Sequence, residues 1–226
     1  MRMLRLISGD IRFQMKYGFY FIYGVFCVLY VFLLMIFPES YRERAVSIMI
    51  YSDPAAMGLF FMGAIVLLEK NQRVLNALAV SPVKVFEYMA AKIISLALVS
   101  VLVSLVLALA AGLRNIPIVL LATALPSMIF TLLGLIDAAM INSLNQYIIA
   151  VVPLEIVCFL PPILYLFSES AIMRFYPLSR SMALISGSSQ TPLLDITVLL
   201  IVIICLFAIA HRVMVKMWHR LGGVKL

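Results

Sequence analysis

The chain has 226 residues, of which 65% are hydrophobic and 12% charged, with a formal net charge of +7. Soluble domains have about 25% charged and about 45–50% apolar residues, so this composition excludes an ordinary soluble domain. It indicates a polytopic integral membrane protein with an all-α fold. Because the apolar segments use up most of the length, we expect one membrane domain over residues 1–226.

The N-terminus predicts an amphipathic helix at about residues 2–15, lying on the membrane surface with a basic face. Arg5, Asp10, Arg12 and Lys16 interrupt its apolar residues, and no small-residue cleavage site follows. These features argue against a cleavable signal peptide. A solvated basic tail is the alternative interpretation.

Six stretches are long and apolar enough to cross a bilayer, which takes about 20 residues of helix. They are residues 17–37, 46–68, 89–112, 116–141, 147–168 and 193–215. The second contains Asp53 followed by Pro54, a pair typical of a helix start. This span is therefore expected to begin as a short helix and to restart near Pro54. Kinks are predicted in the fourth and fifth spans at Pro126, Pro153, Pro161 and Pro162.

The distribution of lysine and arginine predicts that both termini lie in the cytoplasm. With six spans, twelve of the 17 basic residues fall on the side of the termini and five on the other side. The positive charge is thereby explained by topology and anionic lipids, without nucleic acid. We expect location in the inner (cytoplasmic) membrane.

Two loops are predicted to contain short helices. Residues 69–88 keep an apolar rhythm among charged side chains, which favours an amphipathic cytoplasmic helix between spans two and three. Residues 168–191 predict short external helices broken at Pro177, before span six.

No catalytic, metal-binding or nucleotide-binding motif is present in the sequence. There is no phosphate-binding loop, nucleophile elbow or zinc-protease motif. Cys27, Cys158 and Cys205 lie in apolar runs without metal-ligand spacing. We therefore predict no catalytic residue, no metal and no cofactor bound by this chain, and no enzyme activity of its own.

Three carboxylates fall within the predicted spans, where ionisable groups are costly and are candidates for function. Asp53 also fits a helix cap, and Asp137 lies near a polar run that follows span four. Glu155, between Pro153 and Pro161, is the best candidate for a carboxylate that lines a cavity or pairs two helices. These three residues support an alternative hypothesis, a proton-coupled secondary transporter. A lipid-modifying membrane enzyme is a third class, and the lack of a clustered acidic or nucleophilic motif argues against it.

The polar stretch at 69–88 suggests a function for the loop after span two. Its amphipathic helix could dock in a cleft of a soluble partner. A membrane protein without a nucleotide site could then use the ATP hydrolysis of a separate subunit. An ordinary interfacial loop helix is the other interpretation.

Residues 58–96 carry a resemblance to the ABC-2 type exporter permeases. In that family a Glu ends the second span, a helix with paired Leu positions follows, then Ser/Thr-Pro, then a Lys in span three. This chain has Glu69, Leu75 with Leu78, Ser81-Pro82, and Lys92. The runs YSDPAAMGLFFMGAIVLLEK and RFQMKYGFYFIYG are similar to the fluoroquinolone-export branch.

The resemblance implies an exporter that works with other subunits. Two permeases, identical or sister chains, would give twelve spans above two soluble ABC ATPase subunits, which bind ATP and Mg. Residues 70–82 would form the coupling helix, and the N-terminal helix would be a second contact. The implied coupling residues are Glu69, Lys70, Arg73, Val74, Leu75, Leu78, Ser81 and Pro82.

The resemblance also implies a cargo path between the two permeases, along spans one, two and five. A flat apolar drug or a lipid-like molecule would suit its aromatic and Met side chains. The candidate path residues are Tyr20, Tyr23, Phe26, Asp53, Met57, Phe60, Phe61 and Glu155. The same architecture could export an antimicrobial peptide or a lipid. Export rather than import is an expectation from the family alone.

Overall fold

The structure, a computed structural model, describes residues 2–52, 56–168, 173 and 175–221. Within these ranges all regular elements are helices. They are α1 (Arg2–Lys16), α2 (Phe19–Ile36), α3 (Glu39–Ile50), α4 (Met57–Asn71), α5 (Val74–Ala79), α6 (Val85–Ala111), α7 (Ile116–Met140), α8 (Leu144–Ser168), α9 (Pro177–Ile185) and α10 (Pro192–Leu221). The all-α prediction is confirmed.

Five of the described helices are long and apolar enough to cross a membrane, namely α2, α6, α7, α8 and α10. They correspond to predicted spans one, three, four, five and six, with ends that differ by a few residues. The proline residues inside α7 and α8 do not end either helix. The count of six spans stays a prediction, because the second span does not form one long helix.

The second predicted span, 46–68, consists of two helices. α3 has 12 residues and α4 has 15, and each is shorter than a bilayer-crossing helix. α3 begins at Glu39, directly after Pro38, well before the predicted start. The expected division of this span is therefore present, whereas Asp53 and Pro54 lie outside the described residues.

Helix α7 lies at the centre of the bundle and packs against α4, α6 and α10. The sequence permits this close packing through small and hydroxyl side chains at helical spacing, since such residues let backbones approach. Thr123, Ser127 and Thr131 are all fully buried on α7. Across the α6 interface the hydroxyls of Ser100 and Ser127 lie 2.9 Å apart and share a hydrogen bond. The core is thus held by backbone proximity and hydroxyl pairs as well as by apolar contact.

Two glycines set how closely α4 approaches its neighbours. A Cβ placed on Gly63 would lie 1.8 Å from Cζ of Tyr147 on α8, so the ring occupies the space that the glycine leaves open. The Tyr147 hydroxyl donates a hydrogen bond to the Leu59 carbonyl of α4, at 2.5 Å. A Cβ on Gly134 of α7 would lie 2.7 Å from that same carbonyl oxygen. α4, α7 and α8 therefore meet at Leu59.

The two ends of the bundle differ in charge. One end, which we call the basic end, carries α1, α5, the start of α6 and the last turns of α10. Packing of the Tyr88 and Trp218 rings, with centroids 5.8 Å apart, joins α6 to α10 there. The N-terminal helix is present as predicted, from Arg2 to Lys16. Its position relative to a membrane stays a prediction.

The opposite end is closed by α9. This helix begins at Pro177, where the sequence predicted a break. Asp195 in the first turn of α10 is buried, and it accepts hydrogen bonds from Arg180 of α9 and from Ser189, both at 2.6 Å. The ion pair with Arg180 fixes α9 to the start of α10. A first predicted helix of this loop falls largely outside the described residues.

The outer surfaces of α2, α8 and α10 are strongly apolar. Large side chains point away from the bundle, including Phe21, Val28 and Phe32 on α2 and Ile149 and Phe167 on α8. Continuous exposed apolar surface of this extent marks contact with lipid or with another protein chain.

We expect Gly63→Ala to destabilise the protein, because the new methyl group would overlap the Tyr147 ring. Overpacking of this kind costs about 1–3 kcal/mol of the free energy of unfolding. Thermal unfolding in detergent measures the effect. Gly24→Ala on α2 is the matched control, since nothing lies within 4 Å of its new Cβ. Adding Tyr147→Leu should recover much of the loss; equal stability of Gly63→Ala and Gly24→Ala would refute the close contact.

Candidate functional site

A buried ammonium group joins three helices at the basic end. The Nζ atom of Lys92 on α6 lies 2.5 Å from Oδ1 of Asp10 on α1 and 2.5 Å from Oε1 of Glu69 on α4. The Lys92 side chain is 1% exposed, and those of Asp10 and Glu69 are 14% and 5% exposed. Such short contacts between full charges, away from water, are strong and directional. We call Asp10, Glu69, Tyr88 and Lys92 the charged cluster.

Aromatic and amide side chains complete the charged cluster. The Tyr88 hydroxyl donates a hydrogen bond to Oε2 of Glu69 at 2.6 Å, so both Glu69 oxygens have partners. The Lys92 ammonium also lies 5.3 Å from the Tyr88 ring centre and 5.7 Å from that of Phe13, distances at which a cation attracts a ring face. Gln14 donates to the Ser95 hydroxyl at 2.9 Å, adding a second link between α1 and α6.

Helical spacing explains how the local sequence assembles the charged cluster. Tyr88 and Lys92 are four residues apart on α6 and therefore share one face. Glu69 lies in the last turn of α4, and Asp10 lies in the middle of α1. Burial raises the pKa of the Asp10 carboxyl, while the Lys92 ammonium acts in the opposite direction. A proton on Asp10 would leave one ammonium and one carboxylate, a neutral buried group.

The side chain of Lys70, next to Glu69, caps the C-terminus of α7 rather than facing outward. Its Nζ donates hydrogen bonds to the carbonyls of Ala138 and Ile141, both at 2.7 Å. A cation at a helix C-terminus satisfies orphan carbonyls and opposes the negative end of the helix dipole. Burial lowers the pKa of the Lys70 ammonium. Lys70 thus fixes the end of α4 to the end of α7.

The predicted coupling helix at 70–82 is shorter in the structure. α4 continues to Asn71, and α5 comprises only Val74–Ala79. Arg73 separates them with a φ of 56°, a left-handed conformation that few residues other than glycine adopt. After α5 the chain turns, with the Ser81 hydroxyl donating to the Leu78 carbonyl at 2.7 Å, and Pro82 prevents continuation of the helix.

The predicted coupling residues divide by their exposure. Glu69 and Leu75 are buried, and Leu75 is 0% exposed. Leu78 and Ser81 are half-buried, whereas Arg73, Val74 and Pro82 are exposed. Val80, which the sequence analysis did not single out, is 78% exposed. The surface available to a partner therefore consists of Arg73, Val74, Val80 and Pro82 with the outer side of α5.

The candidate path residues that the structure describes lie on α2, α4 and α8. Tyr23 is buried, and its ring packs edge-on against Phe61, with centroids 5.0 Å apart. Phe26 is half-buried and stacks on Tyr30. Tyr20, Met57 and Phe60 are half-buried and pack against the core. The structure brings Tyr23 and Phe61 into contact, while Asp53 lies outside the described residues.

Of the membrane carboxylates, Asp137 differs from Glu155 in its surroundings. Both are half-buried, on α7 and α8 respectively. Oδ2 of Asp137 is buried and has no hydrogen-bond partner among the described residues. Glu155 lies beside the exposed Val152 and Ile156 of α8. Within the described part of the chain, no cluster of His, Cys, Asp and Glu side chains could hold a metal ion.

Sequence reasoning missed several residues that organise this region. Asp10 was noted only as an interruption of apolar sequence, and Tyr88 was not considered. The spacing of Tyr88 and Lys92 was an available signal, since a polar pair four residues apart in an apolar helix requires partners. For Tyr51 and Tyr147 the sequence had no such signal. The Tyr51 hydroxyl donates to the Cys158 carbonyl and the Tyr147 hydroxyl to the Leu59 carbonyl, and both carbonyls are far away in sequence.

We expect Lys92→Met to destabilise the protein by about 3–5 kcal/mol, because it leaves two carboxylates buried without a counter-charge. Thermal and denaturant unfolding in detergent provide the measurement. Lys16→Met, at an exposed lysine of α1, is the control. The neutral triple variant Asp10→Asn/Glu69→Gln/Lys92→Met should recover stability close to that of the wild type. A Lys92→Met protein as stable as Lys16→Met would contradict the buried ion pairs.

Comparison with known proteins assigns the chain to a family. Its sequence matches the Fluoroquinolones export permease protein family over residues 1–220. It is 29% identical over 142 residues to fluoroquinolones export permease proteins of Mycobacterium tuberculosis strains CDC 1551 / Oshkosh and ATCC 25618 / H37Rv. These matches cover 61% of this chain and 59% of each relative, so about three fifths of the relatives' length is matched. With its long apolar helices and this match over nearly its whole length, the chain belongs to the fluoroquinolones export permease family of membrane proteins.

Proposed function

We propose that the chain is the permease subunit of an ATP-binding cassette exporter and that a separate soluble ATPase drives it. The observation that carries this proposal is the exposed, strained segment at Arg73–α5, which Leu75 anchors in the core and which follows directly after α4, whose Glu69 is paired with Lys92. Membership of an export permease family agrees with it. ATP and Mg would bind to the partner, and this chain would contribute no catalytic residue.

The coupling step follows from the attachments of α5. Its exposed side would fit a cleft on the ATPase. Its buried side carries Leu75, which is packed in the core, and α5 contacts both α4 and α10. A push on α5 would therefore reach α4 directly, and the Glu69–Lys92 pair would transmit it to α6. The Asp10–Lys92 pair would move α1 together with these helices.

A second permease would cover the exposed apolar faces. α2 and α8 bury little of their surface within this chain, yet they lie beside α4, which carries three of the eight candidate path residues. Pairing through these faces, as a homodimer or with a sister chain, would enclose the path between two protomers. Aromatic and Met side chains there would suit a flat, apolar, drug-like cargo. An antimicrobial peptide or a lipid is the alternative cargo.

The basic end would face the cytoplasm in the inner membrane, because basic residues are retained on that side. Both termini would then be cytoplasmic, and α9 would lie at the external face. The exposed part of α5 would be on the same side as the soluble ATPase.

We expect Arg73→Glu to reduce co-purification of the ATPase by about ten-fold or more, because it reverses a charge at the proposed interface. A pull-down from native membranes followed by an ATPase assay measures this. Arg73→Asn distinguishes an effect of charge from an effect of backbone strain, since it removes the charge and Asn tolerates the left-handed conformation. Arg212→Glu, at an exposed position of α10, is the matched control. ATPase retained by Arg73→Glu as fully as by Arg212→Glu would refute the coupling role.

A proton-coupled transporter is the second candidate, and the buried, unpartnered Oδ2 of Asp137 favours it within the described residues. Under the ATPase proposal, transport in vesicles should continue when the proton gradient is collapsed. Asp137→Asn and Glu155→Gln should change the rate by less than about three-fold, because neither carboxylate would carry a coupled proton. Uptake that requires a proton gradient and ends in Asp137→Asn would establish the second candidate instead.

A further inference from the structure

The basic end contains a cavity of about 640 Å³ between the ends of α4, α7 and α10. Three cationic side chains line it, Lys70 from α4 and Lys216 and Arg220 from α10. Two amides, Asn71 and Asn142, add hydrogen-bonding groups. Among the described residues that line it, none is acidic. The cavity at the other end of α7 differs, since Glu43 and Arg114 both line it.

Within the described part of the chain, none of the three cations has a carboxylate partner. The ion pairs found there involve Lys92 and Arg180. Lys70 is fixed by backbone carbonyls at the end of α7, which orient its ammonium and carry only partial negative charge. Lys216 and Arg220 are four residues apart on α10, so they project from one face of the helix. A concave site with this charge attracts an anion.

The rest of the lining is apolar and lies at the end of the spans. Met140, Val213 and Met217 face the cavity beside the cations, and Met140 is 73% exposed. Met140 ends α7, a helix long and apolar enough to cross the bilayer. The cavity is therefore expected at the level of the lipid headgroups. Basic pockets between helices at this level bind anionic headgroups, and adjacent apolar surface accommodates the start of the acyl chains.

We infer that this cavity binds one anionic phospholipid of the adjacent leaflet, with its phosphate held by Lys216 and Arg220 and its glycerol region against Met140. Arginine binds phosphate oxygens through paired N–H donors, which gives the site its geometric preference. Asn71 and Asn142 are available to the polar headgroup. The site goes beyond the proposed transport function and needs no ATPase subunit.

Native mass spectrometry of the full-length protein tests this site, by titration with phosphatidylglycerol and phosphatidylcholine of the same acyl chains. The wild type should bind its first phosphatidylglycerol more tightly than phosphatidylcholine. Lys216→Gln/Arg220→Gln should weaken phosphatidylglycerol binding about 25-fold, since each basic residue near an anionic lipid contributes roughly five-fold in affinity. Affinity for phosphatidylcholine should fall much less, because the choline ammonium of that lipid already balances the charge of its phosphate. Unchanged phosphatidylglycerol binding by this variant would overturn the inference.

Arg12→Gln/Arg212→Gln is the matched control, because it removes the same charge from exposed positions outside the cavity. An equal loss in this control would overturn the inference by showing diffuse surface attraction. Met140→Glu, which places a carboxylate in the cavity, should also weaken phosphatidylglycerol binding. Inorganic phosphate or glycerol phosphate that displaces the lipid at the lipid's own concentration would instead identify a free-phosphate site and overturn the lipid assignment.

Discussion

The basic end of this protein depends on the ion pairs that the buried Lys92 ammonium makes with Asp10 and Glu69. A single cation in the core would be very costly, and it is tolerated because two carboxylates approach it within 2.5 Å and Tyr88 supports one of them. The cluster joins three helices, α1, α4 and α6, and Asp10 and Glu69 lie 82 and 23 residues from Lys92 in sequence. The positions of these helices are therefore linked. If α1 or the end of α4 moved away from α6, a buried charge would lose its partner in an apolar environment.

The packing around α7 provides the rigid part of the molecule. Glycine and hydroxyl residues let α4, α6 and α7 approach closely, and Tyr147 fills the space beside Gly63. A closely packed core has few alternative arrangements, so a displacement at one end is transmitted as a movement of whole helices. The proposed coupling mechanism uses this property, because α5 is attached to α4 and α10 but has an exposed outer side.

The two proposals concern different surfaces of the basic end. The exposed side of α5 would bind a soluble protein, and the cavity near Met140 would bind a lipid headgroup. The anionic lipid would supply the counter-charge that Lys216 and Arg220 lack among the described residues. An occupied cavity would also hold the end of α7 against α10, close to the contacts of Lys70. Lipid binding and coupling would thus act on neighbouring helix ends.

The sequence by itself determined the membrane class, five of the six predicted spans, the N-terminal helix, the divided second span and the family, because each depends on local composition, periodicity or a contiguous motif. It also identified Glu69, Leu75 and Lys92 as part of one motif. Only the tertiary structure decided that Glu69 and Leu75 are buried, that Lys70 ends α7, and that Asp10 and Tyr88 join Lys92. The reason is physical: exposure and ion pairing depend on which helices meet, and helical periodicity within one segment does not specify the partner of a face.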